Sequence, residues 1–216
     1  MPDPAAPAIP LLVSTRNAHK TAEIRTILGA RFAICDLAAV PDMPDVEETG
    51  GTFEENATLK AVAASKRFGG WVIADDSGLE VDALDGAPGV LSARYAGKQA
   101  DDHANNELLL KKLAGVSGKA RSARFRCVIV LAKRGEKLAA FSGVVGGAIL
   151  DAPKGAGGFG YDPLFVPDGY SKTFAQLGQK IKNTLSHRAR ALEQLQQGWQ
   201  DRCQHRLIAA SCCRLH

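Results

Sequence analysis

The sequence predicts a mixed α/β fold in which helices flank a sheet. Apolar runs of strand length alternate with segments of helical periodicity, and strands occur on both sides of helical segments. With 216 residues, of which 45% are hydrophobic, the chain can bury a sizeable core as one large domain or two close lobes. The sequence contains no internal repeats, so a globular α/β unit is favoured over a repeat architecture.

The first half of the chain supplies two strands and two helices. The run "IPLLVST" (9–15) predicts a buried strand, and "NAHKTAEIRTIL" predicts a helix with Asn17 as its N-cap. After a proline-rich loop, Thr52 and Glu55 have the spacing of a capping box, which predicts a helix to about Phe68. The run "WVIADD" predicts the next strand. Because "DDSG" is typical of a turn, we expect this strand to end at the aspartates.

The second half of the chain contains two further helices and a hairpin. The segment "DDHANNELLLKKLAG" (101–115) predicts a helix, and the run after it predicts two strands that turn near Gly135. A glycine-rich loop, "GAGGFGYDP" (155–163), precedes the last predicted helix, "NTLSHRARALEQLQQ" (183–197). This order completes the mixed sheet with flanking helices.

Charge and composition exclude several classes of protein. Residues 1–181 carry 21 Lys+Arg and 21 Asp+Glu, so the net charge of +4 comes from residues 182–216, which carry 6 and 2. A body without a basic face predicts no nucleic-acid partner. The sequence has neither a membrane-spanning apolar run nor a signal peptide, which predicts a cytoplasmic protein with no membrane association. Its five cysteines lack CxxC spacing, which favours reduced thiols.

The segment "STRNAHK" (14–20) lies where the first strand ends and the first helix begins. Free backbone N–H groups and the positive end of the helix dipole meet at such a junction, and they favour an anion. Lys20 and Arg16 add charge suited to a polyphosphate. An ordinary capped helix with solvated cations is the alternative. A Walker loop is excluded because its flanking glycine pattern is missing.

Four carboxylates form a second candidate site: Glu47, Glu48, Asp75 and Asp76. Successive strand residues face opposite sides, so one aspartate can enter a cleft while the other braces the turn or reaches a metal through water. A small number of hard oxygen ligands suits Mg²⁺, which takes its remaining ligands from water and substrate phosphates. Solvated charge and turn formation are the alternative.

The glycine-rich loop and the segment "KNTLSHR" (182–188) form a third candidate site. Glycines allow a ligand to approach the backbone closely, and the ring of Phe159 offers a face for a base. Lys182, His187 and Arg188 are hydrogen-bond donors for the same ligand. Taken alone, a histidine at a helix start is more often a cap or a surface residue.

In their order along the chain, these segments resemble the inosine triphosphate pyrophosphatases, also called XTP/dITP diphosphatases. The resemblance covers about Leu11 to Leu195 and rests on "STRNAHKTAEI", "EETGGTFEENATLKA", "ADDSGLEVDALDGAPGVLSARYAG", "GGFGYDPLF" and "SHRARAL". It implies a two-lobed mixed sheet flanked by helices, with the active-site cleft between the lobes. It also implies a homodimer and a requirement for Mg²⁺.

The resemblance assigns roles to single residues. Glu47 corresponds to a Mg²⁺ ligand with Glu48 beside it, and Asp76 to both the general base and a metal-associated carboxylate. The triphosphate-binding turn comprises Thr15, Arg16, Asn17, Ala18, His19 and Lys20. The other substrate-binding positions are Ser77, Phe159, Gly160, Tyr161, Asp162, Lys182, His187 and Arg188.

The implied reaction is hydrolysis of ITP, dITP or XTP between the α and β phosphates, which removes these nucleotides from the pool used for DNA and RNA. Asp76 would activate water, and Mg²⁺ with Lys20 would neutralise the pyrophosphate leaving group. Hypoxanthine and xanthine present an O6 acceptor to donors where adenine presents an amino group. A Maf-like pyrophosphatase acting on modified or pyrimidine nucleotides and a non-catalytic nucleotide-binding module remain as alternatives.

The predicted domain covers residues 1–197, and residues 198–216 form a tail without a match in the family. The tail is rich in residue types that bind metals, but adjacent cysteines do not fit one tetrahedral zinc site. We therefore predict that the tail holds no zinc and is not needed for the reaction. The residues concerned are Cys203, His205, Cys212, Cys213 and His216.

Overall fold

The computed structural model describes residues 7–43, 45–97 and 101–212, with residues 201–212 described by their backbone alone. The strands are β1 (Ile9–Val13), β2 (Phe32–Asp36), β3 (Trp71–Val81), β4 (Ser122–Lys133), β5 (Glu136–Ile149) and β6 (Phe165–Pro167). They form one sheet in the order β2-β1-β3-β4-β5-β6. Strand β1 is parallel to β2 and β3, and the remaining neighbours are antiparallel. The predicted mixed sheet is confirmed.

Helices cover both faces of this sheet. They are α1 (Ala18–Leu28), α2 (Phe53–Phe68), α3 (Asp102–Lys112), α4 (Phe174–Leu177), α5 (Gln179–Leu185) and α6 (His187–Cys212). On one face, α1 and α6 pack on buried side chains such as Ile73 and Ile129. On the other face, α2 packs on Ala74 and Val128. Across the described ranges, no helix is both long and apolar enough to span a membrane.

The helix caps and the hairpin turn that the local sequence predicts are present in the structure. The side chain of Asn17 accepts the N–H groups of the first turn of α1, and Thr52 and Glu55 make both hydrogen bonds of the capping box of α2. The turn between β4 and β5 is Arg134–Gly135, where both residues have positive φ, 52° and 84°. Such a turn matches the twist of the strands that it joins.

The expectation that β3 ends at the two aspartates is wrong, because the strand continues through "DDSG" to Val81. Gly78 does not make a turn there. A Cβ at this position would lie 2.4 Å from the carbonyl oxygen of Gly89, so glycine allows a second segment to pass close to the strand. The helix predicted over 183–197 also differs, since α5 and α6 are separated at Ser186.

The middle of β3 lies between two hydrophobic clusters. Ile73, near the start of the strand, belongs to the cluster with α1 and α6. Leu79, near its end, belongs to a second cluster with Phe125 and Tyr161. Polar residues of β3 therefore lie at the boundary between two packed regions, where a cleft can form.

The packed core extends beyond residue 197, where the predicted domain ends. Trp199 is 6% exposed and makes edge contacts with Phe32 and Trp71 at centroid distances of 5.2 Å and 4.6 Å. The five cysteines and histidines of the tail that were considered as zinc ligands lie outside the described side chains. Residue 197 is thus not the end of the hydrophobic packing.

We expect truncation after Gln197 to destabilise the protein by about 3–5 kcal/mol, because it removes Trp199 from the core. Truncation after Gln200 should leave stability nearly unchanged, since it retains this side chain. Urea denaturation of both truncated proteins and of the full chain measures the difference. Equal stability of the two truncated proteins would contradict a packing role for Trp199.

Candidate active site

The two adjacent aspartates of β3 are both buried, 2% and 6% exposed for Asp75 and Asp76. Their contacts lie on opposite faces of the sheet, as the alternation of a strand requires. Asp75 faces α1 and α6, and Asp76 faces α2. The pair therefore belongs to two different groups of charged residues.

On the α6 face, Asp75 is at the centre of a buried ionic network. It accepts hydrogen bonds from Arg188 at 2.9 Å and from the thiol of Cys127 at 3.0 Å, and it also binds Lys20. Burial alone would raise the pKa of Asp75, but Arg188 and Lys20 hold it well below its usual value. Glu23 binds the other side of the guanidinium of Arg188. The carboxylate of Asp75 is thus fully ionised and fully paired.

On the α2 face, the ammonium of Lys60 joins two carboxylates. Its Nζ lies 2.7 Å from Glu48 and 3.0 Å from Asp76, and Asn56 donates to Asp76 at 3.4 Å. Burial raises the pKa of Asp76, although Lys60 acts in the opposite direction. For Glu48, burial would raise the pKa, but Lys60 and Arg94 lower it. The pKa values of the two carboxylates are therefore shifted in opposite directions, upward for Asp76 and downward for Glu48.

The position of the acidic loop departs from the prediction for Glu47. The side chain of Glu47 is exposed and makes no ion pair with the described residues. Glu48 instead points into the cleft, because neighbouring side chains of a non-helical segment point in different directions. The carboxylates of Glu48 and Asp76 converge on a single ammonium, and this hard-oxygen donor set suits Mg²⁺. Among the described residues, no three His, Cys, Asp or Glu form a ready metal cluster, so water and phosphate would complete the coordination.

The turn between β1 and α1 divides into two parts. Asn17 and Lys20 line the cleft, and Thr15 accepts the N–H of Asn17 at 3.1 Å, whereas Ala18 is exposed. Arg16 also lines the cleft, but it is bound within the protein. It binds Asp45 at 2.8 Å and donates to the carbonyl groups of Leu37 and Met43. These bonds anchor the loop that leads to Glu48.

The glycine-rich loop (155–163), called the base-side loop below, is held by helix α3. The N–H of Gly160 donates to Asp102 at 2.6 Å, and its carbonyl accepts from Asn106 at 2.9 Å. These two residues, one turn apart on α3, fix the loop beside Phe159. Tyr161 is buried, and its hydroxyl donates to the carbonyl of Ser92 at 2.9 Å.

The three predicted donors to the base, Lys182, His187 and Arg188, differ in how many of their hydrogen bonds are already made within the protein. Lys182 is bound to Asp162 at 2.5 Å and to Glu23 at 2.9 Å, and Arg188 donates to Ser77 at 3.0 Å besides its two carboxylates. His187 is 4% exposed and stacks on Phe125 at 4.9 Å between ring centroids. Its Nδ1 has no hydrogen-bond partner among the described residues.

His187 is held in its neutral form. Burial, together with the charges of Arg188 and Lys182, keeps the pKa of His187 well below its usual value. A neutral imidazole has one N–H donor and one acceptor nitrogen. His187 therefore has hydrogen-bonding capacity left for a ligand, whereas the two cations are largely used within the protein.

Two adjoining cavities connect these groups. One contains the glycine-rich loop and the donors. The other contains the turn after β1 together with Glu48, Asp75 and Lys60, whose ammonium binds Asp76. Both are lined by Asn17, Lys20 and Ala93, so they form one continuous cleft. The first cavity is further lined by Ser77, Phe159, Gly160, Tyr161, Asp162, Lys182, His187 and Arg188.

Several residues of the cleft were not predicted from the sequence. Lys60, Glu23 and Arg94 supply three of its charges, yet each occurs in a helix or loop with an ordinary pattern of polar residues. Of these three residues, only Glu23 could have been recognised from the sequence as part of the site. It falls on the buried face of α1, next to Ile24. A glutamate on the buried face of an amphipathic helix indicates a buried cation.

Comparisons with known proteins agree over most of the chain. The model of the Ham1 family matches residues 11–198. The dITP/XTP pyrophosphatase of Halalkalibacterium halodurans is 51% identical over 191 residues, which cover 88% of this chain and 98% of that protein. The dITP/XTP pyrophosphatase of Geobacter sulfurreducens is 52% identical over 193 residues, 88% of this chain and 97% of that protein. The solved structure of the Staphylococcus aureus Ham1 protein is 43% identical, with a TM-score of 0.80, and covers 89% of this chain and 99% of that one.

Proposed function

The chain belongs to the Ham1 family, and on that premise we propose that it hydrolyses dITP, ITP and XTP to the nucleoside monophosphate and pyrophosphate. The observation that carries the proposal is the continuous cleft. The cavity beside the glycine-rich loop and the cavity beside the turn after β1 are both lined by Asn17 and Lys20. A purine nucleotide would place its base beside Phe159 and its phosphates beside Lys20 and the start of α1. The names of the relatives support this substrate class.

Asp76 acts as the general base. Its pKa is raised by burial, which makes it a better proton acceptor than an exposed aspartate at neutral pH. Lys60 orients this carboxylate through the bond of 3.0 Å, so that its other oxygen can accept a proton from water. The water attacks the α phosphorus, and the bond to the β-phosphate oxygen breaks.

Charge on the leaving group is neutralised at the start of α1. The ammonium of Lys20 binds the β and γ phosphates, and the positive end of the α1 dipole favours their charge. We propose that Glu48 and Asp76 hold Mg²⁺, and that Glu48 takes the place predicted for Glu47. When bound, Mg²⁺ neutralises phosphate charge and polarises the phosphoryl group. Loss of activity on removal of Mg²⁺ with EDTA, and its recovery with added Mg²⁺, tests this part.

Selection against adenine rests on the base-side donors. His187 has an unpaired Nδ1 in a buried position, and an unpaired buried group favours the base that completes its hydrogen bonds. In the tautomer that carries its proton on Nδ1, His187 donates to the O6 acceptor of hypoxanthine, whereas adenine presents a donor at the same position. A site of this kind discriminates by about 10⁴-fold when the wrong base leaves a polar group unpaired.

Release of pyrophosphate from dITP, compared with dATP and dTTP, tests the proposed function. We expect turnover with dITP in the presence of Mg²⁺ and a kcat/KM at least about 10³-fold lower with dATP. Preference for dTTP would favour a Maf-like pyrophosphatase. Binding of dITP without turnover would favour a non-catalytic nucleotide-binding module.

The homodimer and the cytoplasmic location implied by the resemblance belong to the same proposal. Leu59 and Leu91, which are 39% and 48% exposed, are the side chains that we propose for the dimer interface. Sedimentation equilibrium distinguishes the 22.9 kDa monomer from a dimer.

We expect Lys20→Ala to weaken binding of a triphosphate by about 10²-fold and binding of the monophosphate by less than about threefold. The physical reason is that a charge-assisted bond to the β or γ phosphate is lost, whereas the base and the α phosphate keep their contacts. Lys172→Ala, which removes an exposed lysine from a loop, is the matched control. Titration calorimetry with dIMP and with a non-hydrolysable dITP analogue measures both affinities. Equal losses for the two ligands would contradict the assignment of Lys20.

A further inference from the structure

The side chain of His19 joins the turn after β1 to the glycine-rich loop. His19 lies in the first turn of α1, which the sequence assigned to the triphosphate. Its imidazole, however, lies against the ring of Phe159 in the base-side loop. The rings are nearly parallel, with 17° between their planes and 5.5 Å between their centroids. The backbone of His19 thus belongs to the phosphate end, and its ring belongs to the base end.

In this structure, the ring of Phe159 has no open face large enough for a purine to stack on it. A base stacked between two rings requires about 3.5 Å on each side, or about 7 Å between their planes. The 5.5 Å between His19 and Phe159 is too small for this. The ammonium of Lys182 lies 4.1 Å from the centroid of the same ring. A base that stacks on Phe159 must therefore displace His19 or Lys182.

His19 is the group that moves at lower cost. Lys182 is buried and bound by the carboxylates of Glu23 and Asp162, so moving it breaks two buried ion pairs. His19 is exposed, and its ring makes no hydrogen bond with the described residues. Rotation of an exposed side chain about χ1 is fast and crosses only small barriers. Binding therefore opens the ring pair on the His19 side.

We propose that His19 is a substrate-contacting residue whose imidazole stacks on the purine, so that the base is held between His19 and Phe159. Without nucleotide the two rings lie against each other. The proposal rests on the proposed function, because it takes a purine nucleotide as the ligand. It gives the side chain of His19 a role in binding the base, separate from the phosphate-binding role predicted for the turn in which it lies.

Three ligand measurements on two variants test the proposal. We expect His19→Ala to weaken binding of dIMP about tenfold, the size of one lost stacking contact, and to leave binding of inorganic tripolyphosphate unchanged. The KM for dITP should rise about tenfold while kcat changes less than about twofold. His19→Phe should restore both dIMP affinity and KM, because it returns an aromatic face without a charge. His103→Ala, which removes an exposed histidine of α3, is the matched control.

The outcomes separate this proposal from the proposed function. If the wild type turns over dITP and His19→Ala binds dIMP as tightly as the wild type, the stacking role alone is overturned. Equal weakening of dIMP and tripolyphosphate, or failure of His19→Phe to restore binding, would also overturn it and would place the imidazole on the phosphates. Failure of the wild type to bind dIMP would overturn the proposed function and this inference together. Because alanine is a good helix former, we expect His19→Ala to fold normally, and its melting temperature checks this.

Discussion

Replacement of Asp76 by Asn should lower kcat for dITP by about 10³-fold, the effect expected on loss of a general base. The amide has nearly the same shape as the carboxylate, so the contact with Lys60 is the main change in packing. Asn cannot accept the proton of the attacking water, and it is a weaker ligand for Mg²⁺ than a carboxylate. Binding of dIMP should change by less than about threefold, because the base and the monophosphate contact other residues.

The measurement compares steady-state hydrolysis of dITP by the wild type, Asp76→Asn and a control, Asp42→Asn, at saturating Mg²⁺. Asp42 is exposed and lies outside the cleft, so its variant should keep full activity. Asp76→Ala should lose as much activity as Asp76→Asn. If either variant of Asp76 turned over dITP at the wild-type rate, the general base would have to be another residue.

Replacement of Arg188 by Met should destabilise the fold by about 3–5 kcal/mol, because it removes one of the two cations that pair with each of two buried carboxylates. Arg188 is 1% exposed and binds both Glu23 and Asp75. Arg190→Met, on the exposed side of the same helix, is the matched control, and we expect it to cost less than about 1 kcal/mol. Urea denaturation at pH 7 measures both values. A loss for Arg188→Met no greater than that of the control would contradict the structural role of this network.

The cost of Arg188→Met should depend on pH. In the wild type, burial raises the pKa of Asp75 but Arg188 and Lys20 outweigh it, so the net folded-state pKa is lowered. A lowered folded-state pKa stabilises the protein above the unfolded value of about 3.9, and this contribution is lost as the pH falls through the folded value. Without Arg188, the pKa of Asp75 rises and the carboxyl group takes up a proton more readily. The difference in stability between the two proteins should therefore shrink below about pH 4.

The destabilisation also changes how the selectivity of Arg188 is tested. The sequence suggests that Arg188 recognises the base, so its removal should reduce the preference for dITP over dATP. In the structure its guanidinium is bound to two carboxylates and Ser77. Rates with the two substrates must therefore be compared at equal concentrations of folded protein. A variant that loses rate with dITP but rejects dATP as strongly as before would indicate that selectivity depends on His187 or its neighbours.

Much of the secondary structure could be predicted because its signals are local. Asn17 and Thr52 are within three residues of the N–H groups that they cap. The turn near Gly135 could be predicted because glycine tolerates the positive φ that such a turn requires. The three segments of the candidate site could also be identified, because a strand-to-helix junction, an acidic pair and a glycine-rich loop each have a recognisable composition. The strands β2 and β6 were not predicted. β6 has only three residues, too few to show a period, and β2 is an edge strand in which only Phe32 is buried.

By itself, the sequence determined the mixed α/β class, the helix caps, the hairpin and the opposite directions of Asp75 and Asp76, because each depends on residues that are close neighbours along the chain. Only the tertiary structure decided which charges meet. It brought Arg188 to Asp75 across 113 positions and Lys60 to Asp76 across 16. It also decided that Glu48 faces the cleft. Such contacts depend on how the strands and helices pack, and a side chain's local sequence carries little information about a partner that approaches from another element.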